Sequence, residues 1–355
     1  MSRFLREAFR SLEVYVPGEQ PRDKKYIKLN TNESPFPPSP QVLSAVAGQA
    51  GDLQLYSDPE CTALRMTAAE VFGLQPENIF CGNGSDEVLN FAFFAFCDAS
   101  KGMAFPSISY GFYPVFADLY GLDRTAIPLK DDFSIDPADY YNLQKNIVIA
   151  NPNAPTGMLL DIPQIRSILD ANPDNIVIID EAYVDFGGKS CLPLIAEYDN
   201  LLVVQTFSKS RSLAGGRLGF GFAQQQIIAD LNRVKYSTNP YNINRCTLAA
   251  GEAALRSQDY YDKNCQTIIE NRAYTTDALE QCGFEVLPSK ANFIFARHPQ
   301  LSGETLYRTL KDMGILVRHF SREEIADFVR ITIGSAEQMR ALINAIHTIL
   351  AGGGN

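Results

Sequence analysis

Lys209 is the residue whose surroundings first suggest chemistry. It lies in TFSKSRSLAGGRLGF, Thr206 to Phe220, directly after the apolar run Leu201–Val204. A lysine just beyond a buried strand has two readings. It is a solvated loop residue, as most lysines are, or an amine made reactive by desolvation or neighbouring positive charge, able to attack a carbonyl and form a Schiff base. Arg217 supplies permanent charge eight residues later, and Ser208 offers a hydroxyl suited to a phosphate. Gly215, Gly216 and Gly219 permit close backbone approach. Asp180 closes NIVIID (Asn175–Asp180). A carboxylate there is desolvated and needs a cation or hydrogen-bond donors, unless it serves as a helix cap. Tyr183, three residues on, brings a phenol to the same place.

Other polar residues also follow apolar strands. In CGNGSDEVL (Cys81–Leu89) a glycine-containing turn leads to a helix start at Ser85 and Asp86. Free N–H groups at such a start bind phosphate, although either residue also makes an ordinary N-cap. Tyr110, in SISYGFYP, is placed either to stack on a flat ring or to pack in the core. NPNAPTG (Asn151–Gly157) is a rigid turn whose Asn153 can donate to an oxyanion. Pyridoxal 5′-phosphate would use all of these features: a lysine for its aldehyde, donors for its phosphate and a carboxylate for its ring nitrogen.

The elements that must position these groups alternate strand and helix from about Asp58. All-apolar strands in that pattern predict an α/β fold with a mainly parallel sheet covered by helices on both faces. Ligands of such sheets gather at the carboxyl ends of the strands. The expected organisation is an N-terminal arm and linker over 1–49, packing with a small domain; a large cofactor-binding domain over 50–250; and an interdomain helix with a smaller α/β domain over 251–355. The terminal AGGGN reads as a frayed tail.

The 355 residues are 46% hydrophobic and 20% charged, which is globular composition. A net charge of −10 argues against nucleic acid and anionic membranes as partners. No apolar run approaches the ~20 residues needed to span a bilayer, and the basic N-terminus lacks a signal-peptide core, so cytoplasm is expected. The seven cysteines and three histidines are dispersed, so neither a zinc site nor a disulfide framework is expected.

The ordered set YSDP, GNGSDE, SYGFYP, NPNAPTG, DEAYVDF, TFSK and AGGRLGF resembles the fold-type-I pyridoxal-phosphate aminotransferases of class II, over nearly the whole chain. The resemblance implies Lys209 as the Schiff-base lysine and proton carrier, and Asp180 as partner of the pyridine nitrogen. It implies Tyr183 on the phenolic oxygen and Tyr110 stacked on the ring. The phosphate falls to the backbone at Ser85 and Asp86, with Ser208 and Arg217. Tyr56 would reach the phosphate in a neighbouring subunit, which implies a homodimer with shared sites. LNTNESPFPPSP, NPYNIN, SKANFIFAR, GILVRHF and VRITIGSAEQM narrow the likeness to enzymes exchanging the amino group between histidinol phosphate and 2-oxoglutarate. Arg318 and Arg330 would then hold the substrate phosphate, since guanidinium groups suit such a dianion, with Tyr15 and Asn32 lining the pocket. One position departs from the family: Ala154 replaces an asparagine that contacts the phenolic oxygen, so either Asn153 takes that role or Tyr183 acts alone. Rival expectations are a threonine-phosphate decarboxylase, an aromatic amino-acid aminotransferase and, more distantly, a non-catalytic nucleotide-binding scaffold.

Overall fold

A computed structural model describes residues 2–352. The last three residues of AGGGN lie outside the described residues, and Ala351 and Gly352 end the final helix. The chain enters through a largely irregular arm to β1 (Ile27–Lys28), α1 (Pro40–Gln49) and α2 (Thr62–Phe72). The large domain continues with β2 (Ile79–Gly82), α3 (Ser85–Phe96), β3 (Met103–Pro106), α4 (Phe112–Tyr120) and β4 (Arg124–Ile127). Next come β5 (Asn146–Ala150), α5 (Ile162–Asp170), β6 (Val177–Asp180), β7 (Leu201–Thr206), β8 (Gly219–Phe222), α6 (Gln225–Thr238) and α7 (Arg245–Leu255).

The seven strands β2 to β8 form one sheet in the order β2-β8-β7-β6-β5-β3-β4. Pairing is parallel from β7 through β4, whereas β8 runs antiparallel to both neighbours. The carboxyl ends of β2, β3, β5, β6 and β7 therefore share one edge, and β8 starts there. Side chains alternate in direction along a strand. Ile147, Ile149, Val177, Ile179, Leu201 and Val203 enter the core on one face. Val148, Ala150, Ile178, Leu202 and Val204 enter the core on the other. Two buried faces explain why these strands read as unbroken apolar runs.

The long α8 (Gln258–Gln281) joins the two lobes. Its Tyr261 belongs to the large-domain core, while Ile268 and Leu279 belong to the small-domain core. Beyond it lie β9 (Glu285–Val286), β10 (Phe293–Arg297), α9 (Gly303–Asp312), β11 (Ile315–Leu316), β12 (Arg318–His319), β13 (Phe328–Thr332) and α10 (Ala336–Gly352). An antiparallel sheet, β12-β13-β10-β9, carries this lobe. The segment 1–49 divides between the lobes: β1 pairs in parallel with β11, but α1 places Val42 in the large-domain core.

Gly219, opening β8, explains one glycine of AGGRLGF. A Cβ there would lie 2.3 Å from the Ser85 backbone nitrogen, so only glycine lets the start of α3 abut the sheet. Gly219→Ala is expected to cost roughly 1–3 kcal/mol of stability, as overpacking does, and to displace the α3 start. Urea denaturation measures the first effect, and loss of phosphate-dependent protection of the Ser85 and Asp86 amides from hydrogen exchange measures the second.

Candidate active site

Five loops leave the shared sheet edge and enclose a cavity of about 410 Å³, whose walls include Ser85, Asp86, Tyr110, Ala154, Asp180, Tyr183, Ser208, Lys209 and Arg217. A second cavity, about 500 Å³, adjoins it and shares Tyr110, Ala154, Tyr183 and Lys209; Tyr15, Asn32, Arg318, Arg322 and Arg330 line its far side. The candidate residues thus divide into two linked compartments with Lys209 at the junction.

Strand parity sets the direction of Asp180. It alternates onto the face of Ile178, where α4 packs, and there the Tyr113 hydroxyl donates to its Oδ2 at 2.9 Å. The Ala182 backbone N–H donates to Oδ1 at 3.3 Å. Asp180 forms no ion pair among the described residues, and burial raises its carboxyl to about 6 although the Tyr113 donation pulls it back. The neighbouring Glu181 faces the other way, accepting from Ser190, Cys191 and Gln205. Tyr113 escapes sequence reasoning because only the packing of α4 on β6 brings it to Asp180. Its one sequence signal is helical i, i+3 spacing from Tyr110, which alone says nothing of a carboxylate.

Lys209 Nζ finds only the Thr31 carbonyl, at 3.3 Å. Desolvation, and then the charge of Arg330, lower its pKa to about 8. Its ammonium lies 5.7 Å from the Tyr183 ring centre. Tyr183 is buried and accepts from Asn32 Nδ2 at 3.0 Å.

The phosphate end is built from backbone and one guanidinium. Gly84 precedes α3 with φ +85° and provides no side-chain cap, leaving the Ser85 and Asp86 N–H groups free for an anion while that of Glu87 donates to the Gly84 carbonyl. Arg217 adopts a left-handed φ of +54° and lies against Gly84, where a Cβ would come within 2.7 Å of its Nη2. Such backbone strain on a non-glycine residue is typical of functional sites. Asp86 contributes its carboxylate as well as its backbone, taking Arg217 Nη2 at 3.0 Å and the Tyr110 hydroxyl at 2.7 Å. Ser208 is placed by the Thr206 hydroxyl, which accepts from its backbone N–H at 3.2 Å.

Two sequence expectations need correction. Asn153 does not face the cavity: Nδ2 donates to the Ile108 carbonyl at 3.0 Å and to Thr156 Oγ1 at 3.1 Å, while Oδ1 accepts from Ser109 at 2.8 Å. The amide holds the turn together, and Ala154 faces the site instead. Asn32 reaches the substrate compartment, but its amide is committed to Tyr183 and Thr332 rather than to a ligand. Tyr56 is 79% exposed, stacked on Tyr241 at 4.5 Å, and lines neither cavity of its own chain.

Arg318 and Arg330 are register partners across β12 and β13. Arg330 donates Nη2 to the Asn30 carbonyl at 3.0 Å, leaves Nε buried without a partner, and lies 5.4 Å from the Phe293 ring centre. Arg318 donates to the Pro17 and Val16 carbonyls at 3.3 and 3.2 Å. Neither pairs with a carboxylate among the described residues. Two adjacent guanidinium groups without an acid have the charge and donors to match an anion carrying more than one charge. Arg322, which the motif reading passed over, lines the same cavity but is already paired with Glu324.

A carboxylate without a cation, a lysine of lowered pKa, an uncapped helix start beside an arginine and a tyrosine face together fit pyridoxal phosphate. The comparisons agree. The family model for aminotransferase class I and II matches residues 24–346. The chain is 49% identical to the histidinol-phosphate aminotransferase of Brachyspira hyodysenteriae over 99% of each. It is 47% identical to that of Clostridium botulinum, again over 99% of each. In fold it matches the Sinorhizobium meliloti histidinol-phosphate aminotransferase solved with pyridoxal-5′-phosphate, with a TM-score of 0.83 at 24% identity over 93% of this chain and 92% of that one. The chain belongs to the class I and II aminotransferases. Within them, its full-length likeness to the curated relatives places it among the histidinol-phosphate aminotransferases.

The raised pKa of Asp180 has a consequence for stability. A folded-state pKa above the ordinary value near 4 means that the folded chain holds this proton more tightly than the unfolded chain. The contribution favours folding below about pH 4 and is lost as pH rises through about 6. Asp180→Asn removes that loss. The cofactor-free variant is expected to be more stable than the unsubstituted chain at pH 7, by roughly 1–3 kcal/mol, with the gain vanishing near pH 4. Urea melts across this range measure it, and a gain independent of pH would contradict the account.

Proposed function

We propose that the protein transfers the amino group reversibly between L-histidinol phosphate and 2-oxoglutarate, giving imidazole-acetol phosphate and glutamate, with pyridoxal 5′-phosphate as cofactor. The observation that carries the substrate assignment is the Arg318–Arg330 pair, two guanidinium groups in register and without an acid, in the compartment that meets Lys209. A phosphate monoester dianion matches their charge. The α-carboxylate of glutamate, which the phosphate ester of histidinol phosphate replaces, can use the same pair in the second half-reaction. The names of the full-length relatives support the same substrate.

Bound in the inner compartment, pyridoxal phosphate supplies a carbonyl that condenses with amines and a ring that accepts the electron pair left at Cα. The α3 backbone N–H groups, Ser208 and Arg217 hold its phosphate. Asp180, restrained by Tyr113, holds a positive charge at the ring nitrogen. Tyr110 offers a ring face and Tyr183 a phenol at the phenolic oxygen. Lys209 would anchor the cofactor and, as a free amine, would remove and return the proton at the substrate Cα. Burial serves that exchange: an amine near pKa 8 has a large neutral fraction close to neutral pH, which an ordinary lysine lacks. Since both half-reactions use one site, ping-pong kinetics follow.

The working unit we infer is a homodimer. Leu53, Leu55 and Tyr56 are exposed together beside Tyr241, an apolar patch suited to burial against a second copy, and Tyr56 has no role in its own site. No helix among the described residues is long and apolar enough to cross a membrane. With seven free thiols, the reading assigns the enzyme to the cytoplasm.

Lys209→Ala is expected to abolish turnover and the visible absorbance of the holoenzyme, and unchanged turnover would refute the assignment. Arg330→Leu and Arg318→Leu should each raise KM for histidinol phosphate by roughly 10- to 100-fold, the worth of a charge-assisted hydrogen bond. A parallel assay with phenylalanine and 2-oxoglutarate tests the aromatic alternative. Carbon dioxide release from threonine phosphate without 2-oxoglutarate would establish a decarboxylase instead.

Capture of cofactor has its own pH dependence. The neutral Lys209 amine is the form that attacks, so association of pyridoxal phosphate with cofactor-free protein should slow about tenfold per unit as pH falls below about 8. Stopped-flow absorbance follows this rate, and a flat rate between pH 6 and 8 would show that Lys209 is already neutral there.

A further inference from the structure

The NPNAPTG turn contributes no side-chain donor to the cofactor compartment. Ala154 faces it, and the Asn153 amide is consumed within the loop. The phenol of Tyr183 therefore carries a function that depends on where its single proton points. That direction is set by a chain of hydrogen bonds whose polarity can be worked out from one end.

The backbone N–H of Asn32 can only donate, and its acceptor is Thr332 Oγ1 at 2.9 Å. The Thr332 hydroxyl donates its own proton to Asn32 Oδ1, 3.0 Å away. With the amide oxygen turned to Thr332, the atom 3.0 Å from the Tyr183 hydroxyl is the NH₂ group. An NH₂ group only donates. Tyr183 Oη accepts from it, and the Tyr183 proton is free for an acceptor in the cavity. Asn32, Thr332 and Tyr183 are all buried, so the three side chains pair directly with one another. Asn32 is held in a left-handed backbone conformation, φ +56°, and its carbonyl accepts from Asn292 Nδ2 at 2.9 Å. The charged and ionisable groups facing Tyr183 from the surrounding elements are Arg330, Asp180, Asp86, Lys209, Tyr15 and Tyr110, and none of them replaces this amide as its hydrogen-bond donor.

We propose that Asn32 is a positioning residue that aims the Tyr183 proton at the phenolic oxygen of the cofactor, with Thr332 fixing the orientation of its amide. The inference rests on the pyridoxal-phosphate reading above. A donor on the phenolic oxygen competes for the proton which that oxygen shares with the lysine linkage. Weakening the donor therefore raises the pH at which that proton is lost. Because Thr332 lies on β13 of the small domain and Tyr183 in the large domain, the chain also links the position of the small domain to the proton affinity at the cofactor.

The test is a spectrophotometric pH titration of the holoenzyme without substrate. Asn32→Gly keeps the left-handed backbone and both main-chain hydrogen bonds while deleting the amide. It is expected to raise the midpoint of the cofactor band by about 0.5–1 pH unit, the equivalent of one hydrogen bond. Tyr183→Phe should raise it similarly, and combining the two should add little, since both remove the same donor. Thr332→Val, which frees the amide to turn, should shift the midpoint in the same direction by less, and it keeps the proposal testable if Asn32→Gly does not fold. The proposal is overturned if neither Asn32→Gly nor Thr332→Val moves a midpoint that Tyr183→Phe does move, or if the Asn32→Gly shift persists in full on the Tyr183→Phe background. A wild-type protein that acquires no visible band with added cofactor would instead remove the cofactor reading itself.

Discussion

The site depends on burying charge without local neutralisation. Asp180 is buried and Lys209 and Arg330 are half-buried, and none has a counter-ion within salt-bridge distance among the described residues. Such groups are costly to bury. The structure holds them apart, each with one or two neutral hydrogen-bond partners: the Thr31 carbonyl for Lys209, the Tyr113 hydroxyl for Asp180 and the Asn30 carbonyl for Arg330. The charges they lack are those of the proposed ligands, a ring cation for Asp180 and an anion for Arg330. Separation matters because a direct Lys209–Asp180 ion pair would raise the lysine pKa and remove its neutral fraction.

The rest of the fold can be understood as the support this arrangement needs. A mainly parallel sheet delivers five strand ends to one edge, and burial of both faces in packed cores keeps those ends fixed. Packing also decides between neighbours in sequence. Asp180 and Glu181 are adjacent carboxylates, both buried and both raised by desolvation, yet they face opposite sides of the sheet. Only Asp180 faces the cavity. Glu181 is satisfied by the loop at Ser190 and Cys191 and holds that loop against the strand.

Much of this is legible in the sequence because it depends on local rules. The strand runs, the punctuation at NPNAPTG and the residues after each strand follow from periodicity and turn chemistry, and the structure places Lys209, Asp180, Tyr183, Ser208 and Arg217 around one cavity. What is not legible depends on long-range contact. Tyr113 reaches Asp180 from α4 across 67 residues of sequence. Asn153 and Ala154 are adjacent, and which of them faces the site is set by the bonds of Asn153 to Ile108 and Ser109 on a different loop. Asn32 reads as a pocket residue from its place in LNTNESP, but its amide is claimed by partners 151 and 300 residues away. The short strands β1, β11 and β12 carry too few residues for a periodic signal, so nothing in their local pattern specifies that the N-terminal segment pairs with the small domain.

The junction between the lobes sets the two compartments of the site against each other. Arg318 and Arg330 belong to the small-domain sheet, while Asp180 ends a strand of the large-domain sheet and Lys209 follows another. The distance between the anion site and the reacting carbon is therefore a property of how the lobes meet. α8 is continuous through both cores, so the lobes are not free to drift apart. The N-terminal segment crosses the gap through β1, Asn30 and Asn32, and its carbonyls occupy Arg330 and Lys209 as ligand groups would. The carbonyls of Asn30 and Thr31, which touch Arg330 and Lys209, lie within two residues of Asn32. Binding at either end thus acts on the segment that orients Tyr183. The same stretch of chain touches both halves of the site, pairing with β11 and meeting Arg330 and Lys209 through its carbonyls.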